Sequence, residues 1–295
     1  MPLPSIAAVT ALLLSLFFRA AAAQDSCSSQ SRPNPISEQY PDAPTGTLNT
    51  TLLVIPIPYE TARQMVPAQW GILKHAYHAL LPDFPRNMYP VVLQAGLDHD
   101  IQLLSLGIQV PDFTKINWLF PFIDLLGDGY SSFAWSATML IQADKEFAID
   151  GSRMYGTPTY PATFDPPCDA YGSRPDGSSY FHVQTNDTSG IYANLDMRLV
   201  RGGCDARHYP LGLFKNVTNQ PIFGNGTVCD KQIRLFNSSL SAPPYAPRAV
   251  RARVSTNMPP LTLDGLGDVF GWQVDTAFIE FNEVDCLSLK GYSGI

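Results

Sequence analysis

The chain has 295 residues, of which 45% are hydrophobic and 15% are charged, and its formal net charge at pH 7 is −7. This length and hydrophobic fraction are sufficient for a globular domain with a substantial core. The chain has no basic run and no interleaving of basic and aromatic residues, so its composition excludes the usual nucleic-acid-binding classes.

The N-terminus has the pattern of a secretory signal peptide. Ile6 to Phe18 is almost wholly apolar, and the small residues Ala20 to Ala23 provide a cleavage site before Gln24. No later stretch reaches the roughly eighteen apolar residues of a membrane span, so none is expected in the mature protein. We therefore predict a signal peptide at 1–23, an irregular Ser-, Pro- and Gln-rich lead-in at 24–46, and one β-rich domain at 47–295.

Sequons and cysteines also favour a secreted protein or the lumen of the secretory pathway. Five Asn-x-Ser/Thr sequons are candidate glycosylation sites: Asn49, Asn186, Asn216, Asn225 and Asn237. The five cysteines are Cys27, Cys168, Cys204, Cys229 and Cys286. In an oxidising compartment they suggest two disulfides and one free thiol. The sequence leaves the pairing open, although we expect Cys27 and Cys286 to help tie down the ends of the chain.

Short strands dominate the first half of the chain. Leu52 to Pro58 reads as a strand that stops at proline, and Glu60 to Val66 has helical spacing. Tyr89 to Leu97 and Ile101 to Val110 are apolar and β-favouring. We predict that they form a hairpin that turns at Asp98-His99-Asp100.

The middle of the chain combines an aromatic segment with further predicted strands. Phe113 to Leu126 is densely aromatic, and Tyr130 to Ala143 alternates as a strand does. Tyr180 to Thr185 and Ile191 to Leu199 predict another hairpin, since polar turn residues separate them.

The last third of the chain begins with a region, 204–247, that carries three sequons and many turn residues, so we predict a glycosylated surface excursion there. Arg248 to Val254 is predicted as an exposed strand, Asp264 to Asp268 as a turn, and Thr276 to Phe281 as a last strand. Many short strands with few helices indicate a mainly β (α+β) fold. We expect an antiparallel sheet closed into a barrel or cone, with a few flanking helices.

One stretch, Gly151 to Ala162, resembles part of the acetoacetate decarboxylase superfamily. In that superfamily a strand enters a Gly-x-Pro turn and the catalytic lysine follows the proline. Arg153, Gly156 and Pro158 match this pattern, whereas Thr159 and Tyr160 occupy the positions of the lysine pair. The resemblance implies a closed β barrel around a central cavity but no lysine imine at this turn. The alternative is that the glycine and proline only shape a turn.

A site without that lysine would depend on shape and hydrogen bonds. Arg153 and Tyr155 alternate around Met154, so we expect both on one side of the strand. Thr159 and Tyr160 are further donors for a carbonyl or phenolic oxygen, and these four are the predicted catalytic residues. The predicted substrate-binding aromatic residues are Trp118, Phe122, Tyr130, Phe133 and Trp135, for which core packing is the alternative.

A secreted, multiply glycosylated, fungal-type chain with such a turn is also similar to the hetero-Diels–Alderases of tropolone–sesquiterpenoid pathways. That resemblance implies an enzyme that needs no cofactor and joins a tropolone quinone methide to a humulene-type olefin, a bulky apolar substrate. One alternative is a secreted carrier of lipids or terpenoids. Another is a divergent lyase with its lysine elsewhere, at Lys115 or Lys145. We expect no metal, because the histidine spacings match no metal-site motif.

Overall fold

The structure is a computed structural model that describes residues 29, 31–200, 202 and 208–292. The strands are β1 (Thr45–Pro58), β2 (Gly71–Ile72), β3 (Met88–Leu103), β4 (Ile108–Val110), β5 (Phe113–Asp124), β6 (Phe133–Gln142), β7 (Thr159–Asp165), β8 (Gly172–Ser173), β9 (Ser179–Thr185), β10 (Tyr192–Leu199), β11 (Ile222–Phe223), β12 (Val228–Leu235), β13 (Arg248–Met258) and β14 (Leu261–Asp285). The α-helices are α1 (Tyr59–Met65), α2 (Lys74–Leu80), α3 (Glu146–Met154) and α4 (Leu211–Val217). The predicted signal peptide, Cys27 and Cys204 lie outside the described residues. Within the described part, no helix is long and apolar enough to cross a membrane.

The sheet closes on itself. The nine strands β6, β7, β9, β10, β13, β14, β1, β3 and β5 pair in that order, and β5 pairs back to β6. These pairings are antiparallel except that between β6 and β7, which is parallel. The predicted mainly β fold with a closed barrel and a few flanking helices is therefore confirmed, but the barrel is mixed rather than purely antiparallel.

A second connection closes the sheet through β11 and β12. Strand β11 pairs in parallel with β6 and antiparallel with β12, and β12 pairs with the end of β14. The nine-strand ring and the ring that runs through β11 and β12 share several strands. The shared strands, such as β1, β3, β5 and β6, are buried along nearly their whole length. Strands that belong only to the nine-strand ring, such as β10 and β13, alternate between buried and exposed residues. The same contrast appears in the sequence, because strands covered on both faces read as continuous apolar runs.

Local patterns placed several elements correctly. The predicted strand before Pro58 is the second half of β1, and the predicted helix coincides with α1 to within one residue. The predicted hairpin is formed by β9 and β10, which pair antiparallel from Gln184 with Tyr192 onward. These segments carry their signals in adjacent residues, so no distant contact was needed to find them.

The hairpin predicted at Asp98-His99-Asp100 is wrong. The strand β3 continues through these residues to Leu103, and the chain turns at Leu104–Leu106 instead. Polar partners on other segments hold the three residues in the sheet. Lys115 of β5 pairs with Asp98, and Asp112 accepts a hydrogen bond from the backbone nitrogen of Asp100.

Two further local predictions are wrong in the last third of the chain. The turn predicted at Asp264 to Asp268 lies inside β14. The turn-forming residues are accommodated there by register shifts against β13 and by positive φ angles at Gly265 and Asp268. The surface excursion predicted at 204–247 contains α4, β11 and β12, and α4 buries Leu213 and Phe214. Turn residues therefore mark irregular backbone here rather than the absence of regular structure.

One cysteine pair is described in full, and it involves Cys286 near the C-terminal end of the chain. Cys286 forms a disulfide with Cys229, which joins the start of β12 to the turn after β14. Cys168 also takes part in a disulfide. The disulfide that is described thus secures the second closure of the sheet.

Candidate functional site

The stretch from Gly151 to Met154 is helical rather than extended, because it forms the end of α3. In a helix, residues two apart point in widely different directions, so Arg153 and Tyr155 do not share a side. Tyr155 is 9% exposed, whereas Arg153 is exposed and bonds to the carbonyl oxygen of Thr159 at 3.0 Å. The expectation that both side chains face one side of a strand is therefore wrong.

The remaining residues of this stretch are engaged in local contacts. The hydroxyl of Thr159 lies 2.8 Å from that of Ser152 and donates to the carbonyl oxygen of Thr157 at 3.0 Å. Tyr160 is half-buried and packs against the main hydrophobic core. Of the four predicted catalytic residues, only Tyr155 lines the cavity described below.

The predicted substrate-binding aromatic residues lie away from that cavity. Trp118, Phe122 and Phe133 are fully buried in the main core, and Trp135 packs against it. The indole nitrogen of Trp118 donates to the carbonyl oxygen of Met258 at 2.8 Å. Tyr130 is 59% exposed. The structure brings four of the five together as core residues rather than as the lining of this cavity.

A cavity of about 220 Å³ opens between α3, the β3–β4 hairpin and the barrel wall. Its walls are largely apolar and include Ile101, Val110, Phe113, Met139 and Ile141. Four of these side chains belong to a hydrophobic cluster separate from the main core. The sheet and α3 therefore build an apolar shaft, and the chemistry depends on the polar groups at its floor.

One polar element of the floor is an ion pair between adjacent strands. The Nζ atom of Lys115 lies 2.9 Å from Oδ2 and 3.1 Å from Oδ1 of Asp98. The side chain of Lys115 is 12% exposed and that of Asp98 is 2% exposed. Lys115 is thus a nearly buried amine that borders the cavity and is held by one carboxylate.

The second polar element is a pair of carboxyl groups on β12 and β14. With its amide nitrogen turned toward them, Asn282 donates to Oδ1 of Asp230 and Oε1 of Glu280 at 3.3 Å each. All three residues line the cavity together with Tyr155. The two acids therefore share one donor, the amide of Asn282, which is itself exposed.

Arg234 supplies a buried cation behind this floor. It is 3% exposed, and its guanidinium donates to Gln94 at 2.7 Å and to Gln232 at 3.0 Å. Burial lowers the pKa of Arg234 to about 10, which keeps it charged at neutral pH. Its charge partly offsets the acids of the floor, because opposite charges favour the ionised form of one another.

Burial and mutual repulsion set the protonation of the acids. Burial, followed by repulsion between Glu280 and Asp230, raises the pKa of Glu280, and burial likewise raises the pKa of Asp230. Burial raises the pKa of Asp98 against the opposing effect of Lys115. The pKa of the Tyr155 hydroxyl is raised by burial and by the nearby carboxylates. A proton shared by the Asp230–Glu280 pair near neutral pH would supply a donor beside the neutral Tyr155 hydroxyl.

This protonation predicts a pH dependence of stability. The folded-state pKa of Glu280 lies above its ordinary value of 4.5. The corresponding stabilisation is fully present below pH 4.5 and is lost as the pH rises through the folded-state pKa. We expect Glu280→Gln to flatten the decline of unfolding free energy between pH 4.5 and neutral pH, as measured by urea denaturation. Glu283→Gln, at an exposed position of the same strand, is the control, and equal slopes in the two variants would contradict the assignment.

The sequence offered a signal for part of this floor. Asp230, Gln232 and Arg234 alternate along β12, so they share one face, and the apolar residues around them mark the segment as a strand. Glu280 directly follows the apolar run from Ala277 to Ile279 in β14. These residues were missed because they fall within or near a region read as a surface excursion. Lys115 was identified only as one of two alternative lysines.

The donors at the floor can hold and polarise one oxygen atom of a ligand, while the walls exclude water from its apolar part. Among the described residues, no group of three or more His, Cys, Asp or Glu side chains is arranged to hold a metal ion. The cavity lining includes the amine of Lys115, the hydroxyl of Tyr155 and the carboxyl groups of Asp230 and Glu280.

No protein-family model and no curated protein sequence matches the chain. Among solved structures, it is similar to an acetoacetate decarboxylase-like enzyme from Sphingomonas wittichii RW1, with 11% identity, 82% of this chain and 94% of that chain covered, and a TM-score of 0.44. It is also similar to the enduracididine biosynthesis enzyme MppR complexed with pyruvate, with 11% identity, 88% and 91% coverage and a TM-score of 0.44. A further similar structure is MppR with HEPES buffer bound, at 12% identity, 90% and 96% coverage and a TM-score of 0.44.

Proposed function

We propose that the chain is an enzyme that needs no cofactor and that binds an apolar substrate by a carbonyl-type oxygen at the floor of the cavity. The observation that carries this proposal is the cavity itself, in which apolar walls end on Lys115, Tyr155 and the Asp230–Glu280 pair. Three kinds of donor line this cavity among largely apolar side chains. A hydrogen bond in such surroundings is stronger than in water, so it polarises a bound oxygen effectively.

The reaction that we propose is a cyclisation of the hetero-Diels–Alder type between a tropolone quinone methide and a terpene olefin. The quinone methide oxygen accepts hydrogen bonds from Tyr155 and from the protonated acid pair, which makes its conjugated system more electrophilic. The olefin then adds: the C=O and C=C π bonds of the quinone methide and the C=C π bond of the olefin are consumed, and one carbon–carbon bond, one carbon–oxygen bond and one new ring C=C bond form together, so no group leaves. Holding both partners in a reactive pose can supply up to ~7–11 kcal/mol in favourable cases.

The position of Lys115 favours one second candidate, a lyase that works through an imine. Its amine borders the cavity, and Asp98 lies 2.9 Å away with a raised pKa, so it is placed to accept a proton. Attack of the amine on a substrate carbonyl would form a carbon–nitrogen double bond and release water. The acid pair would deliver and recover the protons of that sequence.

We also propose that the enzyme works in the secretory pathway or outside the cell. The apolar N-terminus, the Cys229–Cys286 disulfide and the sequons support this location. Asn186, Asn225 and Asn237 are exposed, as an attached glycan requires, whereas Asn49 and Asn216 are half-buried. A non-catalytic carrier is disfavoured by the buried acids, because binding an apolar ligand does not need them.

The test is to incubate the purified glycoprotein with a tropolone quinone-methide precursor and a humulene-type olefin, and to analyse the adduct by chiral chromatography. We expect one stereoisomer, formed faster than in the absence of protein. Tyr155→Phe should lower this rate about tenfold to a hundredfold, because one donor to the oxygen is lost. The matched control is Tyr192→Phe, a tyrosine outside the cavity, which should leave the rate unchanged.

Two outcomes would contradict the cyclisation. A racemic product at the background rate would reject this substrate pair, and an unchanged rate in Tyr155→Phe would reject the oxygen-binding floor. The imine candidate is tested separately with an apolar methyl ketone and borohydride. A stable mass increase on the peptide that contains Lys115 would support the lyase, and its absence would exclude it.

A further inference from the structure

The mouth of the cavity is surrounded by apolar side chains that the protein leaves in contact with solvent. We call these residues the rim: Leu103, Leu104, Leu106, Ile108 and Phe147. Leu106 is 68% exposed and Phe147 is 71% exposed, and Leu104 and Ile108 are more than 40% exposed. Exposed leucines occur singly on most proteins, but a group at the mouth of a cavity indicates a binding surface.

The rim is continuous with the cavity. Leu103, Ile108 and Phe147 line the opening directly, and Leu103 pairs with Ile108 across the β3–β4 hairpin. Leu104 and Leu106 form the turn between these two strands. Phe147 stands on the opposite side, in the first turn of α3. Apolar side chains therefore lie both in the walls of the cavity and around its opening, next to the polar Gln102 that also lines the cavity.

The cavity is too small for the whole of a bulky substrate. Its volume of about 220 Å³ lies below the ~300–1,000 Å³ that encloses a drug-sized ligand. It can take a small oxygen-bearing ring or chain end, but not that group together with a sesquiterpene-sized partner.

We propose that the rim is the binding surface for the apolar part of the substrate that projects from the cavity. The substrate class is thus amphiphilic: a small head with a carbonyl-type oxygen enters the shaft, and a hydrocarbon portion lies against Leu106, Ile108 and Phe147. This inference rests on the proposed function, since it assumes that the oxygen binds at the floor. In the cyclisation, the quinone methide occupies the cavity and the olefin lies on the rim.

The test uses methyl ketones of increasing chain length, from about eight to about sixteen carbons, whose binding is measured by isothermal titration calorimetry. We expect the affinity of the unmodified protein to increase about twofold for each added CH₂ group, since a group on an open surface loses only part of its contact with water. In Leu106→Ser/Phe147→Ser, the affinity should stop increasing with chain length once the ketone is long enough to fill the cavity. Leu287→Ser, at a position that is 70% exposed and does not line the cavity, should behave like the unmodified protein.

The outcomes separate the two proposals. If the ketones bind with the same chain-length dependence in Leu106→Ser/Phe147→Ser, the rim inference is wrong and the oxygen-binding floor stands. If no ketone of any length binds, the proposed function fails and the rim inference fails with it. A concentration-dependent dimer that disappears in Leu106→Ser/Phe147→Ser would show that a second copy of the chain covers the rim, and would also overturn the inference.

Discussion

Replacing Lys115 with methionine is expected to lower the free energy of unfolding by about 3–5 kcal/mol at neutral pH. Asp98 is 1% exposed and forms its ion pair with Lys115, so the variant leaves a buried carboxylate without its compensating charge. The loss should shrink as the pH falls, because a protonated Asp98 does not need a cation. Urea denaturation at several pH values measures both effects.

The chain provides a close control for this prediction. The side chain of Lys145 is also only 19% exposed, but that of its partner Asp144 is 66% exposed. Lys145→Met should therefore cost less than about 1 kcal/mol, as is usual for exposed ion pairs. Adding Asp98→Asn to Lys115→Met should recover most of the lost stability by removing the stranded charge. Equal effects of Lys115→Met and Lys145→Met would show that water reaches the pair at the floor.

Removing the disulfide in Cys229→Ala/Cys286→Ala should lower the free energy of unfolding by about 4 kcal/mol. The estimate follows from the sequence separation of 57 residues, because a long loop regains much conformational freedom in the unfolded chain when its link is cut. Both cysteines are buried, so alanine leaves little new polar surface. Chemical denaturation under non-reducing conditions measures the change without affecting the disulfide of Cys168.

Amide hydrogen exchange shows which strands become less protected in Cys229→Ala/Cys286→Ala. We expect faster exchange in β12 than in β9 and β10, because the lost link holds β12 against the end of β14. The acids and Arg234 on β12 should then lose their fixed positions. A stability change below about 1 kcal/mol, or faster exchange spread evenly over the sheet, would contradict a role for this disulfide in holding the second closure.

The fold could be predicted from the sequence where neighbouring residues carry the signal. The strand before Pro58, the helix α1 and the β9–β10 hairpin each combine a hydrophobic period with adjacent turn or stop residues. The closed barrel was predicted from the number of strands and from the resemblance together. The parallel pairing of β6 with β7 was not, because the helix α3 that crosses between them was read as an extended segment.

The site was harder to predict because its residues are defined by distant partners. Asp98-His99-Asp100 has the composition of a turn, and only Lys115 and Asp112 from the following segment show why it continues as a strand. Asp230 and Glu280 are ordinary surface acids by composition, and they become a pair only when β12 pairs with β14. Tyr155, predicted as a catalytic residue, lines the cavity, but the reason for choosing it does not hold, since it follows a helix rather than facing one side of a strand.

The pairing of β1 with β14 also determines when the protein can fold during its synthesis. These are the first and last strands of the sheet, so β1 emerges from the ribosome long before the strand that closes the barrel beside it. Until then the growing chain exposes an apolar strand edge, which is the condition under which nascent proteins aggregate or bind chaperones. Folding dominated by such non-local pairings is slow. The Cys229–Cys286 bond can form only after β14 has emerged, and it then covalently locks a sheet that could not be completed earlier.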